Sequence, residues 1–225
     1  MTSRRLAPDR RDSVSSSVYL GEVASGLPLS ITPKEVSYAG KVISSAEITA
    51  LRWGIFVNVV NGMETSHDFT IEIASETESV HVEWGKRSIF KAARQFIGKQ
   101  SLGAPIAELS SDDQRVHFVS IVQAVFNNYA SGVVHRMAQR LNAGGSYQFG
   151  SATITKTGSR FRVGLIFKKD VEFPWSQVLC GTRSGMVVLA GDGQGDPSIS
   201  CSLRDVRNAV MLPYLTKVMG GQMSE

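Results

Sequence analysis

Cysteine is scarce in this chain. Two in 225 residues, Cys180 and Cys201, are too few for a disulfide framework at this size. Both stand in apolar, strand-like segments, which suits buried free thiols. Long hydrophobic runs are also missing. No stretch reaches the ~20 apolar residues that a membrane span needs, and residues 1–17 are basic and polar rather than leader-like. Neither sign of charge dominates. Lys and Arg number 24 against 20 Asp and Glu, for a net charge of +4. Part of the excess lies in Arg4, Arg5, Arg10 and Arg11, which outweigh Asp9 and Asp12. The remainder is only mildly basic, which gives weak support for a nucleic-acid or membrane partner. A soluble cytoplasmic protein is the expectation.

Catalytic signatures are absent as well. There is no nucleophile elbow, Walker loop or dinucleotide fingerprint. The four histidines, His67, His81, His117 and His135, do not gather, and no Cys or carboxylate stands at ligand spacing to them. Neither a metal site nor a cofactor is expected. Gly191-Asp192-Gly193-Gln194-Gly195-Asp196 lacks the spacing and the closing Glu of a calcium loop, and no helix follows it as a phosphate loop requires. It reads as a hairpin tip.

What is present is hydrophobic content of 42%, ample for a packed core in one large domain or two small ones. Residues 1–17 carry almost nothing apolar and read as a disordered basic tail. Strand signals begin near Tyr19 and are clear at Leu29 and Ile31. Glu35 to Tyr38, a turn at Ala39-Gly40-Lys41, and Val42-Ile43 follow. Ser44-Ser45-Ala46-Glu47 has capping-box spacing and predicts one helical turn. Thr49 to Val60 is a long apolar strand running into Asn61-Gly62, which supplies the positive φ angles of a tight hairpin turn. The return strand, Thr65 to Ile73, alternates. Phe69, Ile71 and Ile73 face one way, and Asp68, Thr70 and Glu72 the other, which predicts one buried and one wet face. Val80 to Trp84 repeats the alternation.

The period then changes to three or four at Ile89, Phe90, Ala93, Phe96 and Ile97, a short amphipathic helix that closes the first module and is stopped by Gly98. Lys99 to Leu109 reads as a linker. From Ser110, with Asp112 and Asp113 at the positive end of the helix dipole, Phe118, Val122, Val125, Tyr129, Val133, Met137 and Leu141 recur at helical spacing. Unbroken, this helical spine runs ~45 Å at ~1.5 Å per residue. Gly132 is a candidate break, and Gly144-Gly145 ends it. Strand candidates follow at Tyr147–Phe149, Ala152–Thr155, Phe161–Phe167, Val171–Trp175, Gln177–Cys180, Met186–Ala190 and Ile199–Leu203. Leu203, Val206, Val210 and Tyr214 or Leu215 then mark a closing helix that Pro213 kinks or shortens. Strand order and closing helix recur in both halves, a weak internal duplication.

Several strings together carry a family resemblance. They are Ile31-Thr32-Pro33-Lys34-Glu35-Val36-Ser37-Tyr38-Ala39-Gly40 and the run from Ile48 through Leu51-Arg52-Trp53-Gly54 to Asn61-Gly62. Two more are Arg136 to Leu141 leading into Phe149 to Ile154, and Phe173 to Val178 with Asn208-Ala209. Over roughly Ser30 to Val218 the chain resembles uncharacterised bacterial proteins with tandem pleckstrin-homology-like modules. The resemblance implies an α+β fold in which a strongly bent antiparallel sheet of seven strands, closed by a C-terminal helix, occurs twice. The boundaries are then residues 18–98 for the first module, 99–145 for the linker and helical spine, and 146–220 for the second module. This superfold hosts lipid, peptide and protein binding as well as structural roles. The group implies no catalytic residues.

Lys156, Arg160 and Arg162 flank a Gly158-Ser159 turn, with Lys168 and Lys169 further on. A lysine at one strand end and Arg-x-Arg on the next resembles the phosphoinositide pattern of lipid-binding pleckstrin-homology domains. Converging cations at a hairpin mouth attract polyphosphate, although surface hairpins also carry Lys and Arg to protect strand edges. Arg52, Lys86 and Arg87 have no such spacing. Trp53, Trp84 and Trp175 read as packing residues. The expectation is a non-enzymatic binding or scaffold protein that engages a protein partner through a sheet edge, or through the groove between edge strand and closing helix. The alternative is a peripheral module on anionic lipid through Lys156, Arg160, Arg162, Lys168 and Lys169. A nucleic-acid partner is not expected, because aromatic and basic residues do not interleave on one face.

Overall fold

A computed structural model describes residues 18–22, 27–61, 63–85, 111–163 and 169–223. The expected tail at 1–17, the helix over Ile89–Ile97, the linker at Lys99–Leu109, Lys86, Arg87 and Lys168 lie outside the described residues. The architecture is α+β. Strands β1 (Tyr19–Glu22), β2 (Pro28–Ile31), β3 (Glu35–Tyr38) and β4 (Lys41–Ser44) form one antiparallel sheet in chain order. Strands β5 (Ala50–Val60), β6 (Met63–Ala74) and β7 (Ser79–Gly85) form a second. After the helices, β8 (Tyr147–Phe149), β9 (Ala152–Ile154), β10 (Gly158–Val163) and β11 (Lys169–Pro174) make a third sheet. Strands β12 (Val178–Arg183), β13 (Met186–Gly191) and β14 (Ser198–Ser202) make the fourth. A two-residue strand, β15 (Gln222–Met223), adds to β12 in parallel at Leu179 and Cys180. Among the described residues, four strands and then three thus occur twice in the same order, with β15 added to the last sheet.

Alternation builds the sheets. Phe69, Ile71 and Ile73 on β6, and Val80 and Val82 on β7, are each 1% exposed. The β5–β6 hairpin turns through Asn61 at φ 52°, because Asn tolerates the left-handed region that such a turn requires. Ala39 and Gly40 turn β3 into β4 with positive φ as well. Ser45–Glu47 is a turn without a helix: the Glu47 amide bonds back to the Ser44 carbonyl. A capping-box spacing needs a following apolar helical stripe to propagate, and here β5 begins instead.

A long helix packs against the first half like a plug, whereas the closing helix expected there, Ile89–Ile97, lies outside the described residues. Helix α1 (Ser111–Val125) passes through one π-helical turn, Phe126–Ala130, into α2 (Ser131–Asn142) without a break. Gly132 is helical, so the irregularity lies six residues ahead of the expected one and is a change of pitch. Phe118 packs its ring 5.3 Å from Phe69 and 5.9 Å from Trp84. The Tyr129 hydroxyl lies 2.8 Å from the carbonyls of both Thr32 and Glu35. Arg136 reaches the carbonyls of Ile48 and Ser45. The apolar stripe predicted on this helix is the one that is buried, with Val122 only partly so. The helix ends at Gly144, which takes φ 86°, the left-handed turn that favours glycine.

In the second half the expected long closing helix is mostly replaced. Residues 203–208 are turns, Ala209–Met211 is a short 3-10 segment, and only Leu212–Val218 (α3) is α-helical. Pro213 neither kinks nor cuts this helix. It occupies the first turn, where a missing N–H costs nothing. The interruption comes from Asn208, held at φ 61°.

Candidate functional site

Asn208 is where the two halves meet. Its backbone N–H donates to the Leu51 carbonyl at 2.8 Å, and its side-chain oxygen accepts the Leu51 N–H at 2.9 Å. Its side-chain N–H group donates to the Thr49 carbonyl at 3.1 Å. One residue therefore imitates a strand on the start of the β5 edge. Beside it, Glu72 is 4% exposed and is held by Arg52 at 2.7 Å and by the Arg207 guanidinium, with Arg207 Nε at 3.0 Å. Arg204 lies against Gly54, where an added Cβ would stand 2.9 Å from the Arg204 Cβ. Arg204 also stacks over Phe56, 5.2 Å from the ring centroid.

This seam corrects the expected wet face of β6. Asp68 is half-buried, but Thr70 at 2% and Glu72 at 4% are buried. The Arg207 segment covers Glu72, and Thr70 bonds the Glu83 carboxylate at 3.3 Å. Burial pushes the Glu83 carboxyl up, but bonds and charge from His81, 3.1 Å away, and from Thr70 and Arg204 bring it below the usual carboxylate range.

Two cavities open around the contact of the long helix with α3, the first mixed in character, with Gln123 and Thr182 in its wall, and the second apolar. One, of about 460 Å³, is lined by Trp53, Val122, Val210, Met223, Phe126 and Tyr214. The other, also about 460 Å³, is lined by Ala130, Val134, Lys217, Val218, Phe126 and Tyr214. Phe126 and Tyr214 belong to both, with ring centroids 5.1 Å apart. Phe126 is the first residue of the π turn, and extra residues in a helical turn re-aim side chains toward functional surfaces. Tyr214 is 41% exposed and Val218 62%. Together they form a groove that is mostly apolar on the Val134 and Val218 side, where His135 and Lys217 also line it.

The basic residues chosen from sequence are spread along one sheet. Arg160 on β10 pairs with Glu172 on β11 at 2.6 Å. Arg162 lies opposite Asp170 in register. Lys169 faces Val163 at one end of β10, while Lys156 stands in the turn before the other end, about 17 Å away at ~3.3 Å per residue. The strand brings Arg160 and Arg162 together on one face, each beside a carboxylate, and separates Lys156 from Lys169.

Elsewhere the placements are structural. His67 packs beside Phe69, with centroids 6.4 Å apart, and bonds Arg115 at 3.1 Å. His117 contacts Tyr19, whose hydroxyl burial pushes up to about 12. Among the described residues, no three His, Cys, Asp or Glu side chains could hold a metal ion. Cys180 and Cys201 are buried and free, and burial pushes the Cys180 thiol up to about 12. Trp84 stacks on Phe69 at 5.4 Å, and Trp175 donates to the Lys156 carbonyl at 3.0 Å. In the Gly191–Asp196 loop, the Gly193 N–H donates to Asp196's own carboxylate at 2.8 Å. Among the described residues, no helix is long and apolar enough to cross a membrane.

Sequence reasoning missed Phe126, Val134, Val218 and the Glu72–Arg207–Asn208 seam. A signal for part of it exists. Ala130, Val134 and Ala138 form a second apolar row beside Val133, Met137 and Leu141, and all are buried. A helix apolar on two faces packs on two bodies. No protein-family model matches this chain, and no curated protein matches it at a significant level.

Proposed function

We propose that this chain is a non-enzymatic binding protein made of two pleckstrin-homology-like modules, and that it recognises a protein partner. The groove at Phe126 and Tyr214 carries this proposal. It is apolar, and it lies on a π turn between the long helix and the short closing one. Helical or extended segments of partners bind in such grooves through a few apolar anchors. The repeated order of four and then three strands, each set followed by a helix, supports the module assignment. A role on anionic lipid draws less support, because Arg160 is paired with Glu172 and Lys156 stands far from Lys169.

Affinity capture from a lysate of the source organism tests the proposal with three baits. They are the unmodified chain, Val218→Asp, and a chain with Lys156, Arg160 and Arg162 all changed to Glu. Val218 is exposed, so its substitution leaves the core intact. The expected result is a specific protein held by the first and third baits and lost by the second. Capture of anionic lipid that disappears with the charge-reversed bait would replace this proposal with the lipid one.

A further inference from the structure

The fifth strand of each half lies at a sheet edge, and the two edges are finished differently. On β12 the chain's own β15 covers Leu179 and Cys180, leaving only Gly181, Thr182 and Arg183 before the hairpin turn. Arg183 is exposed, and a charge on an edge is one way that proteins keep strands from pairing. On β5, Asn208 covers only Thr49 and Leu51. Past Arg52 and Trp53, the stretch Gly54-Ile55-Phe56-Val57-Asn58-Val59-Val60 has no charge and no proline. Ile55 is 38% exposed, Phe56 47% and Val59 57%.

Backbone geometry shows what this edge offers. The N–H and C=O of Leu51 point away from β6, toward Asn208. Orientation alternates along a strand, so Ile55 and Val57 also turn their N–H and C=O groups outward, where no described strand lies. On the other side β7 pairs with β6 only over Asp68–Ala74. Beyond Phe56, which sits opposite Asp68, the hairpin is two-stranded among the described residues. A two-stranded ribbon is marginal in water, and a bare apolar edge of this kind is a template for another strand.

We infer that this edge pairs with β5 of a second copy of the chain, antiparallel, about a two-fold axis at Phe56. This register uses the outward groups of Ile55 and Val57, with Ile55 of each copy opposite Val57 of the other. It stops short of the bulge between Asn58 and Val59 and clears Arg204 where it lies against Gly54. A two-fold interface must be its own complement. The strip itself is uncharged, so no like charges of β5 fall opposite each other. The one cation near the axis among the described residues, Arg204, lies over the face of Phe56 rather than on the strand edge. The open edge continues directly from the part that Asn208 already occupies, so the same line of main-chain groups serves both contacts. The result is a sheet continuous across the axis, with two-stranded ribbons made four-stranded. A strand pair of this length buries less than the ~800 Å² per partner of a standard interface, so the dimer is a weak, reversible one, to be sought over about 1 µM to about 1 mM.

Sedimentation velocity of the full chain across that concentration range tests the inference, together with two variants. Ile55→Pro removes one outward N–H, and an edge strand tolerates proline where the N–H faces solvent. Phe56→Cys puts two thiols at a non-hydrogen-bonded cross-strand pair, where Cα atoms lie ~4.5 Å apart, within disulfide reach. Cys180 and Cys201 are buried and do not compete. The expected results are a reversible dimer, association weakened at least tenfold by Ile55→Pro, and an interchain disulfide in Phe56→Cys under mild oxidation. A chain monomeric throughout, or a dimer indifferent to Ile55→Pro, overturns the inference. So does Phe56→Cys remaining reduced, and that readout stands even if Ile55→Pro fails to fold.

Discussion

The first half of the molecule is closed by a helix that runs unbroken from Ser111 to Asn142, the second by one that spans only Leu212–Val218. The long helix anchors itself with Phe118 against Phe69 and Trp84 and with Tyr129 on two carbonyls of the first half. It then continues to meet α3, where Phe126 touches Tyr214. The short helix is short because residues 203–208, just before it, are occupied otherwise. They cross β5, place Arg207 on Glu72 and end in the left-handed Asn208. What the second half lacks in helix it supplies as a clamp on the first. The plug of one half and the clamp of the other make a single body.

The most severe way to break this comparison is to remove the plug. A chain stopped after Gly98 is expected to aggregate and to show no cooperative melt, because Phe69 and Trp84 lose Phe118. Calorimetry checks it, and a monomeric fragment covering residues 18–98 with a sharp transition would mean that the long helix is no plug. The clamp is next. Asn208→Ala removes two side-chain hydrogen bonds to buried main chain and puts a Cβ-bearing residue without a local partner at φ 61°. A loss of about 2–4 kcal/mol is expected in urea unfolding. Arg207→Ala should cost less, about 1 kcal/mol or below, since Arg207 is largely exposed and Glu72 keeps Arg52. Equal losses for the two variants would contradict the central place given to Asn208. Near neutral pH the smallest effect is that of titration, which grows only in the alkaline range. The Cys180 thiol and the Tyr19 hydroxyl are each raised to about 12 by burial. The folded state therefore holds these protons more tightly than the unfolded chain, where they leave near pH ~8.5 and ~10. Stability from both groups is complete below those values and is lost as pH rises toward the folded ones. Urea midpoints should fall as pH rises above ~8.5, and Cys180→Ala should flatten the earlier part of the fall.

Local pattern made most strands legible. Alternation at Phe69, Ile71 and Ile73 and the turn at Asn61 need only neighbours in sequence, and the helical stripe from Phe118 to Leu141 needs only its own period. What escaped was decided at a distance. Glu72 looks like a solvent-facing residue until Arg207, 135 positions away, is laid on it. The sequence from Leu203 to Tyr214 has helical spacing, but hydrogen bonds from Asn208 to Thr49 and Leu51 outweigh the few backbone bonds of one more helical turn. The groove was hidden for a similar reason. Phe126 and Tyr214 belong to elements whose contact no periodicity reports. The basic residues were visible by type, but the carboxylates beside Arg160 and Arg162 come from the neighbouring strand and only the register reveals them.

Whether the two halves unfold as one body can be read with two tryptophans. Trp84 lies in the first half and Trp175 in the second, each 6% exposed. Two chains are needed, one with Trp84 as its single tryptophan and one with Trp175, the others being changed to Phe. Fluorescence of both through the same urea gradient should give superimposable transitions with one midpoint. Separate midpoints, with either half melting while the other stays folded, would contradict the single body.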